Sequence, residues 1–131
     1  MDNKRYNISS GSPFEPIIGF SRAVRIGNIL AVAGTGPIAL DGSTAAPGDA
    51  YGQAIRCLEI IKKAIEEGGG KITDVIRTRM YLTDISKQEE VGRAHSEYFR
   101  KIRPAATMVE VKGLARAGWL VEIEVDCIIA D

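Results

Sequence analysis

The chain has 131 residues, of which 45% are hydrophobic, 26% charged and 6% aromatic. This length reads as one domain over residues 1–131, and the composition excludes a disordered or collagen-like chain. Seventeen Lys and Arg balance seventeen Asp and Glu for a formal net charge of +0. The basic footprint of a nucleic-acid binder is therefore missing, and no apolar run approaches the ~20 residues of a membrane span.

Residues 4–9 read as a short edge strand. Arg22–Ile26 and Ile29–Ala33 follow as two strands joined by Gly27-Asn28, a turn pair that tolerates positive φ. Ala33 to Pro37 breaks the second of these, and Asp41–Gly48 is a broad loop. Residues 49–67 read as a helix, because Ala54, Leu58, Ile61 and Ile65 recur at helical spacing; Gly68-Gly69-Gly70 ends it.

Asp74–Leu82 reads as a strand, with Val75, Arg77, Arg79 and Tyr81 on one face and Ile76, Thr78, Met80 and Leu82 on the other. Ser86 and Glu89 fit a capping box that opens a second helix running to about Lys101, with Val91, Ala94 and Tyr98 inward. After Pro104 come two strands, Ala105–Lys112 and Trp119–Ile129. In the last, Trp119, Val121, Ile123, Val125 and Cys127 alternate with Leu120, Glu122, Glu124 and Asp126. The order β-β-β-α-β-α-β-β, with antiparallel hairpins at both ends, predicts an α+β fold: one sheet with two helices on one face. A half-apolar sheet face left uncovered predicts a homo-oligomer.

Cys57 and Cys127 form neither a disulfide framework nor a zinc spacing. They read as buried reduced thiols, which suits a cytoplasmic location, as does a polar Met1–Ser12 start without the apolar stretch of a signal peptide. His95 is the one histidine, so a multi-histidine metal site within one chain is excluded and no metal is expected. It reads as a packed imidazole on the second helix. Glu122, Glu124 and Asp126 share one strand face, and Arg77, Arg79 and Tyr81 another. Two readings stay open for them: cross-strand or intersubunit ion pairs, or a charged pocket floor in which an arginine holds a carboxylate and a glutamate orients water. Gly34-Thr35-Gly36 is read either as a tight turn that shows backbone groups to a ligand or as simple turn geometry; it lacks the full phosphate-loop pattern. Arg103 is either a partner of the helix C-terminus or a ligand contact beside the next strand.

Together these pieces resemble the RidA (YjgF) family of reactive-imine deaminases, long labelled endoribonuclease L-PSP. The similarity runs from about Phe20 to Ile128. It rests on Arg25-Ile26-Gly27-Asn28, the strand ending in Gly34, Tyr81-Leu82-Thr83-Asp84, Tyr98-Phe99, Arg103-Pro104-Ala105, Val109-Glu110-Val111 and Val121-Glu122-Ile123-Glu124. The resemblance implies a chorismate-mutase-like fold and a homotrimer with inward-facing sheets and a small-molecule pocket at each subunit interface. It also implies hydrolysis of enamines and imines, such as 2-aminoacrylate, to a 2-oxo acid and ammonia without metal or organic cofactor. Glu122 would be the catalytic residue that positions water, and Phe20, Ser21, Arg22, Gly34, Thr35, Arg103, Ala106, Thr107 and Met108 would line the substrate.

The sequence departs from the family pattern at several of these positions. The pocket arginine of P-A-R-[ST] is Ala106 in Pro104-Ala105-Ala106-Thr107, the following cysteine is Met108, the aromatic phenol is Phe20, and an asparagine is Gly92. A charge-assisted bond to a carboxylate is worth roughly 1.5–3 kcal/mol, and Ala106 cannot make one. Arg22, where the family usually has glutamine, and Arg103 are the candidate replacements. Three functions follow: an imine-deaminase-type hydrolase of altered specificity, a non-catalytic metabolite-binding or regulatory trimer, and a ribonuclease, against which the charge balance counts.

Overall fold

The structure, a computed structural model, describes residues 3–130. Its strands are β1 (Arg5–Ile8), β2 (Ala23–Ile26), β3 (Ile29–Thr35), β4 (Val75–Leu82), β5 (Ala105–Glu110) and β6 (Val121–Ile128); its two main helices are α1 (Ala50–Glu67) and α2 (Gln88–Phe99). The strands form one sheet in the order β1-β2-β3-β6-β4-β5. This is the α+β architecture and element order expected from the sequence.

Local chemistry explains most of the boundaries. The Asp49 carboxylate accepts the Gly52 N–H at 3.0 Å and so caps α1. The predicted stripe of Ala54, Leu58, Ile61 and Ile65 is fully buried, and Gly69, at φ +86, takes the left-handed turn that ends the helix. The start of α2 differs from expectation. Ser86 does not cap it; the Asp84 carboxylate accepts both the Ser86 N–H (2.9 Å) and the Ser86 hydroxyl (2.7 Å), and fixes a short 3-10 turn before Gln88. The inner stripe of α2 is Val91, Ala94 and Phe99, with Tyr98 half-buried at its margin.

The predicted C-terminal hairpin is also corrected. β5 and β6 do not pair. β5 runs parallel to β4 at the sheet edge, while β6 lies antiparallel between β3 and β4. A helix joining β4 to β5 is a crossover, and crossovers link parallel strands. β6, paired on both sides, buries Val121, Ile123, Val125 and Cys127 against the helices as its alternation predicts. In β4 the register steps from Val75↔Cys127 to Arg77↔Asp126, a bulge at Ile76. Val75 is therefore 3% exposed and Ile76 50%, the reverse of simple alternation through these two residues. Arg77, Arg79 and Tyr81 stand opposite Asp126, Glu124 and Glu122 on the face away from the helices.

Candidate functional site

A second bulge builds the centre of the site. The β3–β6 register passes from Val32↔Val125 to Thr35↔Ile123, three steps on β3 for two on β6. β3 therefore continues through Thr35 as a bulged strand, where the sequence suggested a break at Ala33. The bulge brings Gly34 against Glu122 so closely that a Cβ on Gly34 would lie 2.4 Å from Glu122 Oε2 and 3.2 Å from Cδ. Only glycine leaves the carboxylate where it is. Arg22 is 8% exposed, and its Nη2 donates to the Gly34 carbonyl at 2.6 Å. The Thr35 side chain turns into the core and donates its hydroxyl to Ala33 O at 2.8 Å, so it offers a ligand no free donor. Ser21 Oγ accepts from Asn7 Nδ2 at 2.9 Å, and Phe20 is exposed beside it.

The three acids of β6 differ in what they touch. Asp126 Oδ2 lies 3.3 Å from Arg79 Nη1 and 4.0 Å from Arg77 Nε. Glu124 accepts the Tyr81 hydroxyl and lies 4.0 Å from Arg79. These two are cross-strand pairs, as one of the open readings held. The Glu122 side chain makes neither a hydrogen bond nor an ion pair among the described residues. Burial pushes its pKa above the ordinary carboxylate range; the Arg22 charge opposes that shift and the Glu124 charge adds to it.

β5 carries the remaining candidates and divides them. Thr107 pairs with Arg79 and lies on the open face. Ala106 pairs with Thr78 and Met108 with Met80, so both belong to the helix side. Ala106 is exposed there, and Met108 packs against the core. Thr78 Oγ1 hydrogen-bonds His95 Nε2 at 2.9 Å, which places the imidazole of α2 on the same side. Gly92, three residues before His95, borders open space: a Cβ there would meet nothing within 4 Å. Arg103 is exposed between α2 and β5; its N–H donates to Phe99 O at 2.7 Å and its φ is +55. A left-handed non-glycine residue of this kind costs roughly 1–2 kcal/mol, and such residues cluster at functional sites.

The candidates thus form two groups. Gly34 and Arg22 stand at Glu122, with Ser21 and Phe20 just before Arg22 in the chain; Ala106, Thr107 and Met108 lie on β5, and Arg103 just before it. β4 stands between β6 and β5, so the two groups are about 10 Å apart across the sheet. Ala106 and Met108 also face the opposite side of the sheet from Glu122. One small substrate cannot touch both groups of the same chain. Sequence reasoning missed this division because it depends on β6 inserting between β3 and β4, and the bulge that seats Gly34 on Glu122 has no sequence signal beyond the glycine itself. Among the described residues no cluster of three or more His, Cys, Asp or Glu could hold a metal, and no helix is long and apolar enough to cross a membrane.

The profile of the family described as Endoribonuclease L-PSP matches residues 11–129. A protein of Streptomyces coelicolor described as uncharacterised is 40% identical over 119 residues, 91% of this chain and 88% of that protein. A RutC family protein of Pyrococcus abyssi is 36% identical over 110 residues, 84% and 86% of the two chains. Among solved structures, Rv2704 of Mycobacterium tuberculosis, described as a member of the YjgF/YER057c/UK114 family, superposes with a TM-score of 0.87 at 44% identity, covering 96% of this chain and 100% of that one.

Proposed function

Since the chain belongs to the RidA/YjgF (endoribonuclease L-PSP) family, we propose that it is a hydrolase of small reactive imines and enamines whose specificity is altered by the loss of arginine at Ala106. The observation that carries this reading is Glu122: a half-buried carboxylate with no partner of its own, seated against Gly34 and raised in pKa by burial. A carboxylate that is neither bonded nor paired is free to orient water. The water adds to the carbon of a C=NH2+ group, its proton passes to Glu122, and the π pair moves to nitrogen. Glu122 then returns the proton to nitrogen; as the C–N bond breaks, the hydroxyl oxygen forms the C=O bond and its proton passes through Glu122 to the departing ammonia, leaving a 2-oxo product and ammonium. An enamine enters the same route after protonation at carbon.

The working unit in this reading is a homotrimer, without cofactor or metal, in which the Glu122 group of one chain meets the β5 group of the next. The open sheet face and the 10 Å separation support it. Arg103, exposed beside Ala106 and held in a left-handed conformation, takes over the substrate carboxylate. Arg22, already bonded to Gly34 O, positions the bulge and keeps positive charge near Glu122. A cytoplasmic location belongs to the same proposal.

Ala106 and Gly92 favour one second reading, a trimer that binds a metabolite without turning it over. The open face sets Arg77 and Arg79 against Glu122, Glu124 and Asp126, which gives a ribonuclease no basic track. The deciding experiment lets an amino-acid oxidase generate the imine while semicarbazide competes for it. Wild type is expected to suppress semicarbazone formation and Glu122→Gln to fail. Suppression by neither, with saturable binding of a 2-oxo acid, would establish the binding module instead.

A further inference from the structure

A cavity of about 600 Å³ opens between residues 9–14, residues 38–42 and the outer flank of α1. Four cations line it, Arg22, Arg56, Lys63 and Arg116, against two carboxylates, Glu59 and Glu67. Those carboxylates are already engaged: Glu59 lies 3.4 Å from Arg56 and Glu67 3.9 Å from Lys63. Arg22 and Arg116 have no carboxylate close enough for an ion pair among the described residues.

The three guanidiniums are held ready by backbone. Arg56 Nε donates to Ile38 O at 2.7 Å, Arg116 Nη1 to Gly42 O at 2.7 Å, and Arg22 Nη2 to Gly34 O at 2.6 Å. Each bond uses one edge of the fork and leaves other donors for a ligand. Arg22 is the telling one. It is 8% exposed, its Nε is buried without a partner, and its nearest acids, Glu15 and Glu122, act only through space. Glu15 cannot approach further, because its oxygens accept from the Ser9 hydroxyl (2.8 Å) and from the Ser10 N–H (2.9 Å) and hydroxyl (2.6 Å). A buried guanidinium with most of its donors unused is costly until an anion meets it.

We propose that this cavity binds a small phosphomonoester with an apolar body. Two cations left without carboxylates match the charge of about −2 that such a group carries, and guanidinium forks match phosphate geometry. Phe14, Ile38, Leu40 and Ile60 supply apolar wall for the rest of the molecule, and the volume suits a ligand larger than inorganic phosphate. The proposal rests on none of the Glu122 chemistry. The Arg22–Gly34 bond joins it physically to that chemistry.

Calorimetric titration of the intact protein with phenyl phosphate tests this, with inorganic phosphate and phenol as comparisons. Saturable binding is expected, at least tenfold tighter than either comparison, and weakening with salt. Arg116→Gln, an exposed change with little reason to disturb folding, is expected to lower the affinity at least tenfold, and Arg22→Met to do the same. Absence of saturable binding, or unchanged affinity in Arg116→Gln, overturns the proposal; inorganic phosphate binding as tightly as phenyl phosphate overturns the apolar body.

Discussion

Gly34→Ala separates the geometry of Glu122 from the stability of the fold. The added Cβ would stand 2.4 Å from Glu122 Oε2, 3.2 Å from Cδ and 3.6 Å from Cγ. A non-bonded carbon and oxygen settle near 3.3 Å or more, so the carboxylate must retreat by about 1 Å. Gly34 is not among the glycines with positive φ, so alanine suits the backbone, and its restriction of the unfolded chain contributes about 0.4–1 kcal/mol of stability. The clash falls on the end of a side chain that can swing aside. Displacing a reacting group by 1 Å costs on the order of a hundredfold in rate, or about 2.7 kcal/mol of activation free energy. The semicarbazone competition assay, run beside urea denaturation, is therefore expected to show a fall of about a hundredfold at nearly unchanged stability. Activity within about threefold of wild type, with the fold intact, would refute the claim that the Gly34 contact sets the position of Glu122.

Other consequences follow from the same structure. A Cβ on Gly36 would lie 2.3 Å from two ring carbons of Trp119, which is 7% exposed and cannot move aside; Gly36→Ala is expected to cost roughly 1–3 kcal/mol in urea denaturation. Because burial holds the Glu122 pKa high, its contribution to stability is complete below the ordinary carboxylate value and is lost as pH rises through the raised one. Glu122→Gln should thus melt above wild type at pH 8, by a margin that shrinks towards pH 4. Activity needs the ionised form, so the acid limb of the rate profile should lie above the ordinary carboxylate range and move further up in Arg22→Met, which removes the charge opposing the shift. Arg103→Gly relieves a left-handed arginine and is expected to gain about 0.5–1 kcal/mol in urea denaturation, after the extra chain entropy of glycine. The same variant should lose about ten- to a hundredfold in imine hydrolysis.

The elements legible in the sequence are those whose signal is local. The alternation of Val121 to Cys127 and the stripe from Ala54 to Ile65 each mark a buried face, and both are buried as read. The triple glycine ends α1 as read. What was not legible depends on partners distant in the chain. The place of β6 between β3 and β4 is set by which strand completes the sheet around the α2 crossover, and nothing within residues 119–129 encodes that. The bulges at Ile76 and Gly34 appear only when two strands are laid side by side, so they inverted Val75 and Ile76 and extended β3 to Thr35. For the candidate site, the resemblance gathered Glu122, Gly34, Ala106 and Thr107 into one list. Only the strand order shows that β4 separates Glu122 and Gly34 from Ala106 and Thr107.

Subunit mixing tests the central claim, that each site joins the Glu122 group of one chain to the β5 group of another. Glu122→Gln and Arg103→Met are each prepared, shown to be impaired alone, then unfolded together in equal amounts and refolded. In a cyclic trimer every mixed assembly holds a single site with both residues intact, so a random mixture is expected to recover about a quarter of wild-type imine hydrolysis. Mixed assemblies that form, as seen by native mass spectrometry, yet recover no activity beyond the average of the two variants would contradict a site shared between chains.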